Sequence, residues 1–215
     1  MCIRDRYKLD PDTIKIARAR EVMEYQMSTS KLDYWHWVDA LYMVMPVMVK
    51  MYDITKNPLY LEKLHQYLTV TDSIMYDREV GLYYRDAKYP YPFHKTINGK
   101  KDFWSRGDGW AFAAFAKVLK QLPAEDKYRE EYITRFQTMA KSIAACQQPE
   151  GYWTRSLIDP EQAPGPETSG TALFTYGFLW GINNGLLNAD IYSPIVEKAW
   201  NYLKTCLLYT SDAAD

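Results

Sequence analysis

Cysteine and histidine are scarce, with three of each in 215 residues. Cys2, Cys146 and Cys206 stand far apart with no histidine beside them, so neither a disulfide framework nor a zinc site is expected. An excess of one charge is missing as well. The 26 lysines and arginines meet 27 aspartates and glutamates, a net of -1 with no basic run. That excludes the cationic face a nucleic acid or an anionic membrane requires. No apolar stretch approaches the roughly 20 residues that cross a bilayer. Walker-type and dinucleotide glycine loops and zinc-protease helices are absent too. No cofactor, metal, nucleic-acid partner or membrane partner is expected.

What the chain has in abundance is aromatic surface, 19 tyrosines and 7 tryptophans. Such side chains pair an apolar face with a polar tip and suit half-wet clefts that stack on sugar rings. Their densest cluster is Trp-Ser-Arg-Gly-Asp-Gly-Trp at 104–110, directly ahead of the apolar run 111–116. Trp104 and Trp110 offer ring faces, and the Arg106 guanidinium can take a carboxylate through two parallel hydrogen bonds. An acidic sugar is the expected ligand. Gly107 and Gly109 are expected to let the chain turn sharply into a helix. A tryptophan-rich core turn with Arg106 in a structural ion pair is the competing reading.

Apolar periodicity places helices at about residues 10–27, 34–51, 58–74, 109–122, 127–146, 169–184 and 193–204, and no strand pattern longer than a few residues competes. Asp10 and Pro11 look like the cap and first-turn proline of the first. Residues 39–41 precede a Gly-aromatic loop at 81–85 by 42 positions, and residues 109–111 precede another at 151–155 by the same 42. A unit of roughly 65 to 70 residues, a helical hairpin plus a loop, therefore repeats. In each unit the first helix is apolar nearly all round and is expected to be buried on all sides, while the second keeps a charged outer face. Two concentric helical layers follow, with the inner starts converging on one mouth. That is an all-α toroid.

Asp39, Arg106, Trp110 and Glu167 all fall at inner-helix starts. A carboxyl among aromatics is expected to have a raised pKa, as a general acid needs, which makes Asp39 the candidate acid. Each also has a plain structural reading: Asp39 paired with an arginine, Glu167 capping its helix, His36 an ordinary core histidine.

Together, Trp-His-Trp-Val-Asp-Ala-Leu-Tyr-Met at 35–43, Gly-Leu-Tyr-Tyr-Arg-Asp at 81–86, Phe-Trp-Ser-Arg-Gly-Asp-Gly-Trp at 103–110 and Glu-Thr-Ser-Gly-Thr-Ala at 167–172 resemble glycoside hydrolase family 105. These are unsaturated rhamnogalacturonyl hydrolases, related to the family 88 unsaturated glucuronyl hydrolases. The resemblance implies an (α/α)6 barrel, of which about seven of twelve helices are present. It implies hydration of the enol-ether double bond in an unsaturated uronic acid at the non-reducing end of pectin (rhamnogalacturonan) oligosaccharides. Asp39 falls on the catalytic aspartate, Arg106 and Trp110 on substrate-binding positions, and Trp104 on the pocket wall. Arg85 stands where many members have histidine, and His94, in the loop 86–102, could enter the site instead; Arg85, His36 and His94 are all expected among the substrate-binding residues. A second helper carboxylate would precede residue 1.

Three alternatives remain open at this point: a family 88 enzyme for glycosaminoglycan disaccharides, a sugar epimerase using histidines, and a non-catalytic carbohydrate-binding toroid. Residues 1–6 and 206–215 look like translated adapter sequence, so residues 7–205 are expected to be a fragment of one hydrolase domain, inactive by itself. The sequence assigns no compartment, cytoplasmic or periplasmic.

Overall fold

The computed structural model describes residues 12–212. Asp10, Pro11, Cys2 and the end segments 1–6 and 213–215 lie outside the described residues. Cys146 and Cys206 form no disulfide. Seven α-helices fill the described chain: α1 (Ile14–Ser28), α2 (Asp39–Thr55), α3 (Leu59–Met75), α4 (Ser105–Leu119), α5 (Arg129–Ala144), α6 (Thr168–Asn183) and α7 (Ala189–Asp212). Two short strands, β1 (Tyr76–Asp77) and β2 (Leu82–Tyr83), pair antiparallel between α3 and α4.

The helices are arranged in two layers. α2, α4 and α6 pack side by side, and α3, α5 and α7 each lie against the inner helix that precedes them. Composition explains the sorting: α4 reads Ala-Phe-Ala-Ala-Phe-Ala at 111–116, with every one of those side chains fully buried. Phe112 stacks on Phe136 of α5 at 4.5 Å and meets Phe178 of α6 edge-on at 5.2 Å. Burying one such ring stabilises the fold by about 1.5–3 kcal/mol. α5 buries Tyr132, Phe136, Met139, Ala140 and Ile143 on one face and turns its charges outward.

Burial of the inner helices is less complete than their composition suggests. Met43 on α2 and Tyr176 and Leu179 on α6 are exposed. α2 and α6 thus keep part of their surface open, whereas along α4 only Arg106 is exposed.

The helix starts also differ from the periodicity. α2 begins at Asp39, because residues 34–36 form no helix, Trp37 bridges Asp86, and Val38, the cap residue, donates its N–H to the Arg85 carbonyl at 3.0 Å. α4 begins at Ser105, four residues early, so Gly107 and Gly109 lie inside its first turns. Neither has a positive φ. Their smallness serves close packing instead: a Cβ on Gly107 would sit 2.8 Å from Val38 Cγ1, and one on Gly109 3.0 Å from Leu173 Cβ. α7 begins at Ala189 and continues past 204 to Asp212, since no glycine or proline stops it there.

The repeat is visible in the backbone. Gly81 and Gly151, 70 residues apart, both adopt left-handed φ, +78° and +98°. Each presses its α-carbon against the outer helix that follows, Gly81 on Thr138 of α5 and Gly151 on the Lys198 carbonyl of α7. Each loop then pins the start of the inner helix of its own unit. The Arg85 carbonyl holds Val38, and the Arg155 carbonyl accepts from the Ser105 N–H at 2.9 Å.

Gly151→Ala is expected to destabilise the fold by about 1–3 kcal/mol, because it adds backbone strain and a clash with α7. Gly165→Ala, at φ +95° with nothing within 4 Å, should lose only the strain component. Denaturant midpoints at constant m-value would check the difference. Equal losses at the two positions would mean that Gly151 makes no tight contact.

Candidate active site

Asp39 is the first residue of α2, placed by the Trp37–Asp86 bridge and by the Val38 hydrogen bond just before it. Its half-buried carboxyl is pushed above the usual range by burial, opposed by its own backbone N–H and by the positive charges of Arg85 and Arg106. Both guanidinia therefore lie within electrostatic reach of one carboxyl, so α2, the 81–86 loop and α4 converge on one mouth. Yet each has another carboxylate as its direct partner. Arg85 Nη2 lies 2.9 Å from Asp86 Oδ2, and Arg106 Nη2 lies 3.1 Å from Glu167 Oε1. Among the described residues no contact ion pair neutralises Asp39.

Arg106 projects from the first turn of α4. Its Nε also donates to Ser169 Oγ at 2.8 Å, and its guanidinium stands 5.5 Å from the Trp104 ring. Trp104 and Trp110 meet edge-to-face at 5.7 Å, both half-buried, and form an aromatic corner beside Arg106. Glu167 caps α6, accepting from the Gly170 N–H at 2.6 Å and from Ser105 Oγ at 3.2 Å. Burial alone would raise its pKa, but the Ser169 hydroxyl, the Gly170 N–H and Arg106 outweigh it and hold the group ionised. Its structural role and its contact with the site coincide, since it caps α6 while binding the guanidinium that projects from α4, the inner helix before it.

Arg85 lies between two rings, 5.0 Å from Trp37 and 3.9 Å from Tyr89. With exposed His36, Trp37, Ala87 and Lys88 and buried Asp86 it lines a pocket of about 230 Å³. His36 is thus a rim residue and not a core histidine. His94 is turned elsewhere. Its Nε2 lies 3.1 Å from Asp102 Oδ2, a buried carboxylate that Arg155 and Ser156 also bind, and its ring rests on Tyr89 at 4.1 Å. Tyr89 contacts both His94 and Arg85. Two contributors escaped the sequence reading. The Asp102–Arg155 pair, 53 residues apart, anchors the base of the 86–102 loop, and Asp108 is buried behind Arg106. Only an acid set between two glycines in an apolar helix hinted at the second.

The model of Glycosyl Hydrolase Family 88 matches residues 1–214. An "Unsaturated 3S-rhamnoglycuronyl hydrolase" of Formosa agariphila is 37% identical over 183 residues, 83% of this chain and 48% of that protein. A solved "Glycosyl hydrolase family 88 from Bacteroides vulgatus" is 98% identical, with a TM-score of 0.93 over 94% of this chain and 58% of the other. A second solved structure, named a polysaccharide lyase, is 72% identical with the same TM-score, over 94% of this chain and 57% of its own. The chain spans about half the length of the curated relatives it matches.

Proposed function

This chain belongs to Glycosyl Hydrolase Family 88, and from that premise we propose that it carries the catalytic mouth of a hydrolase for unsaturated uronic acids. The substrate class is an oligosaccharide, left by a polysaccharide lyase, whose non-reducing end is a uronic acid with a C4–C5 double bond. The observation that carries this reading is Asp39, a carboxyl with a raised pKa in the same mouth as Arg106 and without a contact ion pair among the described residues. A carboxyl whose protonated form is favoured in that way can act as a general acid.

The chemistry follows from the groups present. Asp39 protonates C4, and the double-bond electrons leave positive charge shared between C5 and the ring oxygen. Water then adds at C5 and returns a proton to the Asp39 carboxylate. The C5 hemiketal opens to a ketone, and the hemiacetal so exposed at C1 expels the remaining sugar chain. One carboxyl cycling between acid and base suffices, unlike the two-carboxylate displacement at the anomeric carbon. Arg106 holds the uronate carboxylate with the guanidinium edge that Glu167 and Ser169 leave open. Trp104 and Trp110 pack on the flattened ring. We propose that residues 7–205 are one part of the toroid that completes this site.

The Formosa relative's name specifies an unsaturated rhamnoglycuronyl substrate, so an unsaturated uronic acid joined to rhamnose is the first substrate to try, with rhamnogalacturonan and glycosaminoglycan disaccharides beside it. Incubated with the complete protein, the correct disaccharide should lose its ultraviolet double-bond absorbance and release a free sugar. The relative named a lyase makes the opposite result informative: absorbance that rises on intact polysaccharide would replace hydration with elimination. No change on any uronide would leave a carbohydrate-binding toroid.

A further inference from the structure

Asp108 is fully buried in the first turns of α4, behind Arg106. Its Oδ1 accepts the N–H of Tyr83, the last residue of β2, at 2.8 Å. Its Oδ2 meets no hydrogen-bonding partner among the described residues. The neighbouring cations are committed elsewhere: Arg106 to Glu167, and Arg135 to Asp72 at 2.7 Å. Tyr76 on β1 and Cys146 just beyond α5 lie within electrostatic reach, and burial keeps both protonated. Among the described residues no cation pairs with this carboxyl, and an ionised carboxylate there would be strongly destabilising.

The Tyr83 hydrogen bond has consequences at the mouth. Two residues further on, the Arg85 carbonyl takes the Val38 N–H, immediately before Asp39, while the Arg85 side chain acts on Asp39 itself. Gly107, beside Asp108, packs on Val38. One carboxyl therefore ties the start of α4 to the 83–85 segment, and through it to the start of α2. The next unit repeats the device with a neutral group. Thr171 Oγ1 of α6 accepts from the N–H of Trp153, the residue 70 positions after Tyr83.

We propose that Asp108 is a positioning residue for the site, a neutral acceptor that holds the Tyr83–Arg85 segment against the start of α2 and so sets where Arg85 and Asp39 stand. The proposal rests on the function given above, and it requires an acceptor oxygen but no charge. Burial, opposed only by the Tyr83 N–H, holds the Asp108 pKa well above the usual carboxylate range and keeps the group protonated.

The test compares Asp108→Asn with Asp108→Ala in the complete protein. Asparagine retains an oxygen for the Tyr83 N–H and should keep kcat within about threefold, whereas alanine should lower kcat by about tenfold to a hundredfold with a smaller change in KM. Amide hydrogen exchange over residues 82–86 should quicken in the alanine variant and stay at the wild-type rate in the asparagine variant. The thermal midpoint supplies a further readout with a definite sign. The unfolded chain ionises Asp108 near the ordinary carboxylate pKa while the folded chain does not, so wild-type stability contains a component that is full below that pKa and declines as pH rises toward the folded value. Asp108→Asn removes that decline.

Asparagine as damaging as alanine would overturn the proposal, since charge would then matter. So would unchanged kcat and exchange in a folded alanine variant. If alanine does not fold, the asparagine variant decides alone: wild-type kcat and exchange support the role, and loss of either refutes it. A wild-type protein inactive on every unsaturated uronide would sink the proposed function, while the exchange comparison would still decide what Asp108 holds.

Discussion

Asp39→Asn is expected to lower kcat by about a thousandfold while leaving the fold intact, the magnitude of losing a general acid. The amide matches the carboxyl in shape and sits at the half-exposed first residue of α2, so neither the Val38 hydrogen bond nor the Trp37–Asp86 bridge is disturbed. What disappears is the proton for C4. Burial favours the protonated form of Asp39 and the two guanidinia favour the ionised form, with burial the stronger. The wild-type rate should accordingly fall as pH rises through that elevated pKa, because the acid is then spent before substrate binds. In Arg85→Gln one opposing charge is gone, and this falling limb should shift to higher pH. Activity of the asparagine variant above a tenth of wild type would show that another group donates the proton. A limb that moves to lower pH in Arg85→Gln would show that the guanidinium does not act on Asp39.

The toroid was legible in the chain because its inner helices are nearly pure apolar runs and its loops recur at a fixed distance. Such patterns record burial, and burial is what the two layers share out. The helix starts were harder to place. Residues 34–38 are aromatic enough to look helical, but Trp37 bridges Asp86 and the Val38 N–H goes to the Arg85 carbonyl, partners 49 and 47 residues away that no local pattern reveals. Gly107 and Gly109 were legible as necessary but for another reason, since they admit Val38 and Leu173 and do not turn the chain.

The site divides in the same way. Asp39, Arg106, Trp104 and Trp110 could be named from sequence because each falls at the start of an inner helix, and the repeat brings those starts together. Asp108 and the Asp102–Arg155 pair could not, because their meaning lies in contacts 25 and 53 residues distant. His94 shows the converse difficulty. Its loop passes near Arg85, but a buried Asp102 at the loop's base draws the ring to itself.

Arg106→Ala is expected to lower kcat/KM by about tenfold to a hundredfold, mostly through KM, the range for losing a charged hydrogen bond to a bound carboxylate. Arg106→Lys should recover only part of this, since an ammonium cannot bond Ser169, Glu167 and a substrate carboxylate in one plane. Glu167 separates orientation from stability. In Glu167→Gln the side-chain oxygen can still accept the Gly170 N–H and cap α6, but the ion pair to Arg106 is gone, so KM should rise while the thermal midpoint holds. Glu167→Ala removes cap and ion pair together and should lower the midpoint as well, with a missing cap costing about 1 kcal/mol. If Glu167→Gln instead tightened binding, Glu167 would be competing with substrate for Arg106 and not aiming it, and the open guanidinium edge would not be the binding element. Equal KM values in wild type and Arg106→Ala would remove the uronate carboxylate from Arg106 altogether.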